Sequence, residues 1–165
     1  MTNKSEILRK RLEKLHHHYV ALKKYHGFIA ASEEQKDIYD PQVFLAMDGR
    51  ERALFDAYLK RYSSLQDYMG AKVFPLLLES AGIPAGKMSE VLAGVGREEI
   101  IDTLGFWIEL REIRNDLEHD YPDDPRAGLS APRTCVASFA RLERYYRNTL
   151  EFARKNGATL PATCA

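Results

Sequence analysis

One stretch of eight residues concentrates side chains that move protons and hold anions: Arg114, Asn115, Asp116, Leu117, Glu118, His119, Asp120 and Tyr121. An unperturbed histidine titrates near about 6.5, so His119 can take up and release a proton around neutral pH. Arg114 is permanently charged, and its planar fork can grip two oxygens of one anion. Asn115 can orient such an anion, or the imidazole, by hydrogen bonds, and Tyr121 adds a phenol beside them. These residue types suit acid–base work on a negatively charged group.

The element that must position them is a helix predicted over residues about 97 to 120. Pro122, Pro125 and Pro132 keep the loop after it out of helix. At 100° per residue, Phe106, Leu110, Ile113 and Leu117 fall within an arc of about 60°, an ordinary core stripe. Leu104, Trp107 and Ile108 lie on a second stripe, continued by Arg111, Arg114, Asn115, Glu118 and His119. That surface starts as core and ends as a polar cluster, which is expected in a cleft or interface where its charges find partners. Asp116 and Asp120 point away from Arg114 on this wheel; Glu118 does not. The same residue types also suit a plain helix end. There, i, i+4 ion pairs add only about 0.3–0.5 kcal/mol and a histidine complements the helix dipole.

The remaining pattern is helical too. Leu8, Leu12, Leu15, Tyr19, Leu22 and His26 step by four and three, predicting a helix over about 4–26 that ends at Gly27, with Ser5 as its cap. The next twenty residues, to about Asp48, are ambiguous: Asp40-Pro41 is a turn signal, and QVFLAM, Gln42 to Met47, reads as either a short helix or a packed loop. Asp48 caps a second long helix carrying Phe55, Tyr58, Tyr62, Leu65 and Met69, which Gly70 and Pro75 bend before Gly82 stops it. A short helix follows around Met88–Ala93. A last one covers about 133–155, with Val136, Phe139, Tyr146, Leu150 and Ala153 on one face. The expected fold is all-α, an up-and-down bundle of four to five main helices. It forms a single domain over residues 1–155, with 156–165 as a flexible tail.

Composition narrows the function classes. The 165 residues carry 24 basic and 24 acidic side chains. A protein that coats nucleic acid has a basic excess, so any nucleic acid must be met at a local pocket. The N-terminus is highly charged without an apolar leader, and no apolar run approaches the ~20 residues of a membrane helix. With two cysteines only, Cys135 and Cys164, no disulfide is expected, and a soluble, cytoplasmic protein fits. His16, His17 and His18 point about 100° apart on a helix and cannot share one ion. Asp120, Asp123 and Asp124 lack a calcium-loop pattern, GIPAGK and GVGREE lack phosphate-loop spacing, and Cys135 has no base partner. Neither metal nor cofactor is expected.

Arg114, four residues, His119, one residue and Tyr121 resemble the R-x4-H-x-Y signature of the HEPN superfamily, in its HepT-like branch. Asn115 after the arginine is similar to that branch. So are the Arg61-x-x-x-Leu65-Gln66-Asp67 element and the WIELREI approach, Trp107 to Ile113, within a resemblance that spans about residues 50–125. The resemblance implies a homodimer that brings two copies of the motif together across a cleft. It implies metal-independent RNA cleavage by the toxin half of a toxin–antitoxin pair. His119 would be the base for the 2′-hydroxyl and Arg114 the charge that stabilises the phosphorane, supplied by two protomers. Asn115, Arg111 and Glu118 would support them. Tyr121 matches the tyrosine that an MNT-type nucleotidyltransferase antitoxin modifies with AMP. Two alternatives stay open: a non-catalytic helical partner or substrate-binding subunit of a nucleotidyltransferase, and a helical adaptor in which the motif is structural. Arg61 or Asp67 turned toward Arg114 would set the first two functions above the third.

Overall fold

Helix α1, Lys4–Gln35, begins where the Asn3 side chain accepts the Ser5 N–H, so Asn3 and not Ser5 is the cap. The computed structural model describes residues 3–120 and 129–164, with the backbone alone for residues 118–120. Leu8, Leu12, Leu15, Tyr19 and Leu22 line the buried face of α1 as their spacing predicts. The expected stop at Gly27 is absent. Ile29 continues the buried face, and an exposed glycine with open space around it costs only about 1 kcal/mol of helix propensity.

Asp40 caps α2, Pro41–Ala46, by accepting the N–H groups of Gln42 and Val43, and Phe44 seals it onto the core. Of the ambiguous stretch, residues 28–35 extend α1 and Gln42 to Ala46 lie in the short helix α2. Asp48 caps α3, Gly49–Tyr68, through the Glu51 N–H, as the sequence indicates. Phe55, Tyr58, Tyr62 and Leu65 of α3 are buried. A π-helical turn, Met69–Val73, then redirects the chain into α4, Phe74–Ser80, which places the expected bend at Gly70 and Pro75. Gly70 is required there: a Cβ would stand 3.0 Å from Cζ2 of Trp107.

The next long helix starts later than predicted. Helix α5 runs over Met88–Arg97, and Glu99 reverses the chain with φ 60°, while Ile100 and Ile101 plug the core. Helix α6, Leu104–Asp120, opens with the Thr103 hydroxyl accepting the Phe106 N–H. The last predicted helix is two: α7, Ser130–Ala137, and α8, Phe139–Lys155. They part at Ser138, where the hydroxyl and the backbone N–H both donate to the Thr134 carbonyl. Pro132, expected in the loop, sits in the first turn of α7, where its missing N–H breaks no helical bond.

Among the described residues all regular structure is helical, and no helix is long and apolar enough to cross a membrane. Helix α1 packs along α3 and α4 on one side and α8 on another. Tyr58, Tyr62, Trp107 and Tyr145 are the largest side chains in the core, with Trp107 5.2 Å from the Phe74 ring centre. Both cysteines are free, Cys135 being buried. The segment read from sequence as a tail runs back over the bundle: Pro161 is buried, and a 3-10 turn, Ala162–Cys164, meets α1.

Candidate functional site

Helix α6 keeps one of its two sequence stripes. Leu110, Ile113 and Leu117 are buried and Phe106 packs against them in part. On the second stripe only Trp107 is core; Leu104 is 41% and Ile108 42% exposed. The surface therefore does not begin as core, which corrects the sequence expectation. Trp107 stands at the flank, where its long ring reaches toward α3 and α4, while Leu104 and Ile108 lie beyond it on the side away from the bundle. Arg111 and Asn115 are exposed farther along α6, and Arg114 is half-buried on the flank toward α3.

Arg114 donates to Oδ1 of Asp67 across the α3–α6 seam. The arginine side chain is 14% exposed and the aspartate 62%, so the pair lies at the edge of the core with the carboxylate outermost. Arg114 Nε is covered and has no protein acceptor. The Tyr62 hydroxyl, fully buried one turn before Gln66, also lacks a protein partner. Burial pushes this phenol well above its ordinary pKa, Cys135 adds to the shift, and the charge of Arg114 opposes it. Gln66 donates from Nε2 to the Trp107 carbonyl at 3.2 Å, leaving its own Oε1 unpaired. One wall of the arginine is therefore polar although it faces the interior.

Beside this seam a small opening of about 100 Å³ is lined by Gln66, Asp67, Gly70, Met88, Trp107 and Arg111. Arg111 gives it a positive rim and the indole an apolar wall. Met88, 39% exposed, lies at its mouth. An anionic group entering here would meet Arg111 first, next to the Asp67 carboxylate that orients Arg114.

Of the residues picked out in the sequence, the structure brings together Arg111, Arg114 and Asp67. Arg61, the other candidate neighbour of Arg114, is exposed and acts electrostatically on His18 instead. Glu118 and His119 lie on the last turn of α6, and their side chains fall outside the described residues; so does Tyr121, with Asp123 and Asp124. The histidines of α1 separate as their angles require. His16 Nδ1 meets the Tyr146 hydroxyl at 2.7 Å, His17 is exposed, and His18 lies 5.5 Å from the Tyr68 ring. Among the described residues no group of three or more His, Cys, Asp or Glu is placed to hold a metal ion.

Comparison of the chain with protein-family models, with characterised proteins and with solved structures gives no match. Tyr62 and Gln66 were not singled out for chemistry, although a glutamine on the buried stripe of α3 was a readable signal.

Proposed function

We propose that the chain is a metal-independent endoribonuclease of the HEPN type, the toxin of a pair whose antitoxin is an MNT-type nucleotidyltransferase. The observation that carries this reading is the Asp67–Arg114 ion pair. It joins the arginine of the R-x4-H-x-Y motif to the second sequence element that resembles the same family, and it fixes the guanidinium in one orientation. An arginine serving only as a solvated helix end needs no such partner.

The chemistry follows from the residue types. His119 takes the proton of a ribose 2′-hydroxyl, whose oxygen attacks the adjacent phosphorus. The P–O bond to the 5′-oxygen breaks, and that oxygen leaves as a hydroxyl after taking up a proton. Arg114 stabilises the extra negative charge on the phosphorane, with Arg111 and Asn115 as further donors to phosphate oxygens. The site is completed in a homodimer, in which the exposed Leu104 and Ile108 of α6 are covered by the second copy. AMP transfer from ATP to the Tyr121 phenol oxygen, with pyrophosphate leaving, adds a phosphate and a purine beside the motif and blocks it.

The test is cleavage of a labelled RNA in the presence of EDTA. Cleavage at full rate with products ending in 2′,3′-cyclic phosphate is expected. Activity that vanishes with the chelator and returns with Mg²⁺ would contradict the reading and point to the acidic residues after Tyr121.

One observation favours a second function, that of a non-catalytic partner of a nucleotidyltransferase. Arg114 is largely covered and already paired, as a structural arginine would be. A protein that binds the nucleotidyltransferase but leaves every RNA intact is the outcome that selects it.

A further inference from the structure

The neutral total charge hides a local concentration of basic side chains. Arg11, Lys14 and His18 step along one face of α1, while Arg61, Ser64, Tyr68 and Lys72 step along the facing side of α3 and its π-helical extension. Between them lies an open cavity of about 360 Å³, walled by Lys14, His18, Ser64, Tyr68, Lys72 and Asp67. Tyr68 is its platform: the Lys14 ammonium stands 5.2 Å over the ring, and the His18 imidazole is 5.5 Å away. Arg11 ties down the far end by donating to the Lys72 carbonyl at 2.8 Å. The one carboxylate in the wall, Asp67, already has its charge met by Arg114. Among the described residues no acidic side chain in the wall neutralises Lys14 and Lys72.

Asp67 and Ala71 line both this cavity and the small opening beside Arg111 and Trp107, so the two adjoin across the α3–π turn. Electropositive walls around a half-buried tyrosine ring suit a single-stranded nucleic acid: cations track its phosphates while a base that displaces the Lys14 ammonium lies on the ring.

We propose that the Lys14–His18–Tyr68–Lys72 cavity is a second RNA subsite, holding a phosphate and its nucleoside next to the one held by Arg114. The choice of RNA rests on the ribonuclease reading; the cavity and its charge do not. It gives the protein a hold on the strand that a cluster at one helix end lacks, and explains how a chain of zero net charge handles a polyanion.

The test measures binding apart from cleavage. A fluorescent single-stranded RNA of about 12 nucleotides, methylated at every 2′-oxygen, is titrated with wild-type protein and with a Lys14→Gln/Lys72→Gln double variant over a range of salt. Both lysines are exposed, so the variant folds. Its affinity is expected to fall about tenfold, and its slope of log K against log salt to shrink by about 1.4, near 0.7 for each lost phosphate contact. Tyr68→Leu should weaken binding with the salt slope unchanged, since stacking carries no counterion. A Lys24→Gln/Lys155→Gln control removes the same charge elsewhere and should bind as wild type does. Equal losses in both double variants, no loss in either, or a wild type that does not bind the probe would overturn the subsite. A specific loss in a protein that cleaves no unmodified RNA would uphold the subsite and discard the nuclease.

Discussion

The Asp67 carboxylate on α3 holds the Arg114 guanidinium on α6, joining two residues 47 apart in sequence. The arrangement is lopsided, with the arginine nearly covered and the aspartate in solvent. Asp67 can therefore be lost at little cost to the fold but not to the direction of the arginine's donors. On the proposed ribonuclease function, Asp67→Asn is expected to lower kcat on RNA by about 10–100-fold while KM changes little, since it would misplace the charge proposed to act in the transition state. Asp67→Glu should recover part of the rate. Stability should change by about 1 kcal/mol, because asparagine keeps an acceptor beside the covered arginine and the lost carboxylate was largely in solvent. Equal kcat in wild type and Asp67→Asn would remove Asp67 as a positioning residue.

Gly70 supports the same seam from below. Its absent side chain leaves room for Trp107, which is buried and has little freedom to retreat. Gly70→Val is expected to destabilise the protein by about 1–3 kcal/mol through overpacking. Because the chain has one tryptophan, the same variant should shift its emission spectrum. Urea unfolding followed by Trp107 fluorescence reads both effects, and an unchanged midpoint would mean that α6 moves aside freely.

Much of this was legible in advance, and the misses have local causes. Asp48 marks a helix start because its acceptor side chain satisfies a free N–H group; Asp40, which reads as a turn with Pro41, caps a helix in the same way. Gly27 misled because propensity is a small term beside the buried face that Ile29 prolongs. Ser138 and Glu99 were invisible as breaks, since nothing in their residue types forces one; the packing of Ile100, Ile101 and Phe139 decides there. In the site, the motif named Arg114, but its pairing with Asp67 and not Arg61 depends on the rotation of α3 about its axis. That rotation is set by Tyr58, Tyr62 and Leu65 in the core. The grouping of α1 and α3 basic residues around Tyr68 needed the helix pairing itself.

The histidines give a pH dependence of stability. Burial lowers the pKa of His16, with the neighbouring His17 adding to the effect. Burial does the same to His18, helped by Arg61, Lys14 and His17. His26 is lowered by burial against the Phe139 ring, 4.1 Å away, with Glu143 opposing. In each case the unfolded chain binds more protons than the folded one around pH 6, so stability rises with pH through that range. The melting temperature is expected to fall as pH is lowered from 7.5 to 5.5, and to fall less in His26→Phe, which keeps the ring stack without a titrating group. Melting curves that are flat over this range would contradict the burial of these imidazoles.

Leu104 and Ile108 carry the expectation of a dimer. Two aliphatic side chains exposed one turn apart, on the helix that bears the motif, are expected to be covered by a second copy. Ile108→Arg should convert the dimer to monomer in sedimentation and abolish cleavage, while the circular dichroism of a helical protein persists. A wild type that sediments as a monomer at micromolar concentration would remove the two-copy site.

The most direct measurement is RNA cleavage by His119→Ala beside wild type, with folding of both checked by circular dichroism. If His119 moves the proton of the attacking hydroxyl, the variant should lose about 10²–10⁴-fold in rate while still binding RNA. The residual products should end in 2′,3′-cyclic phosphate as those of wild type do. Undiminished cleavage by His119→Ala would contradict the nuclease mechanism outright.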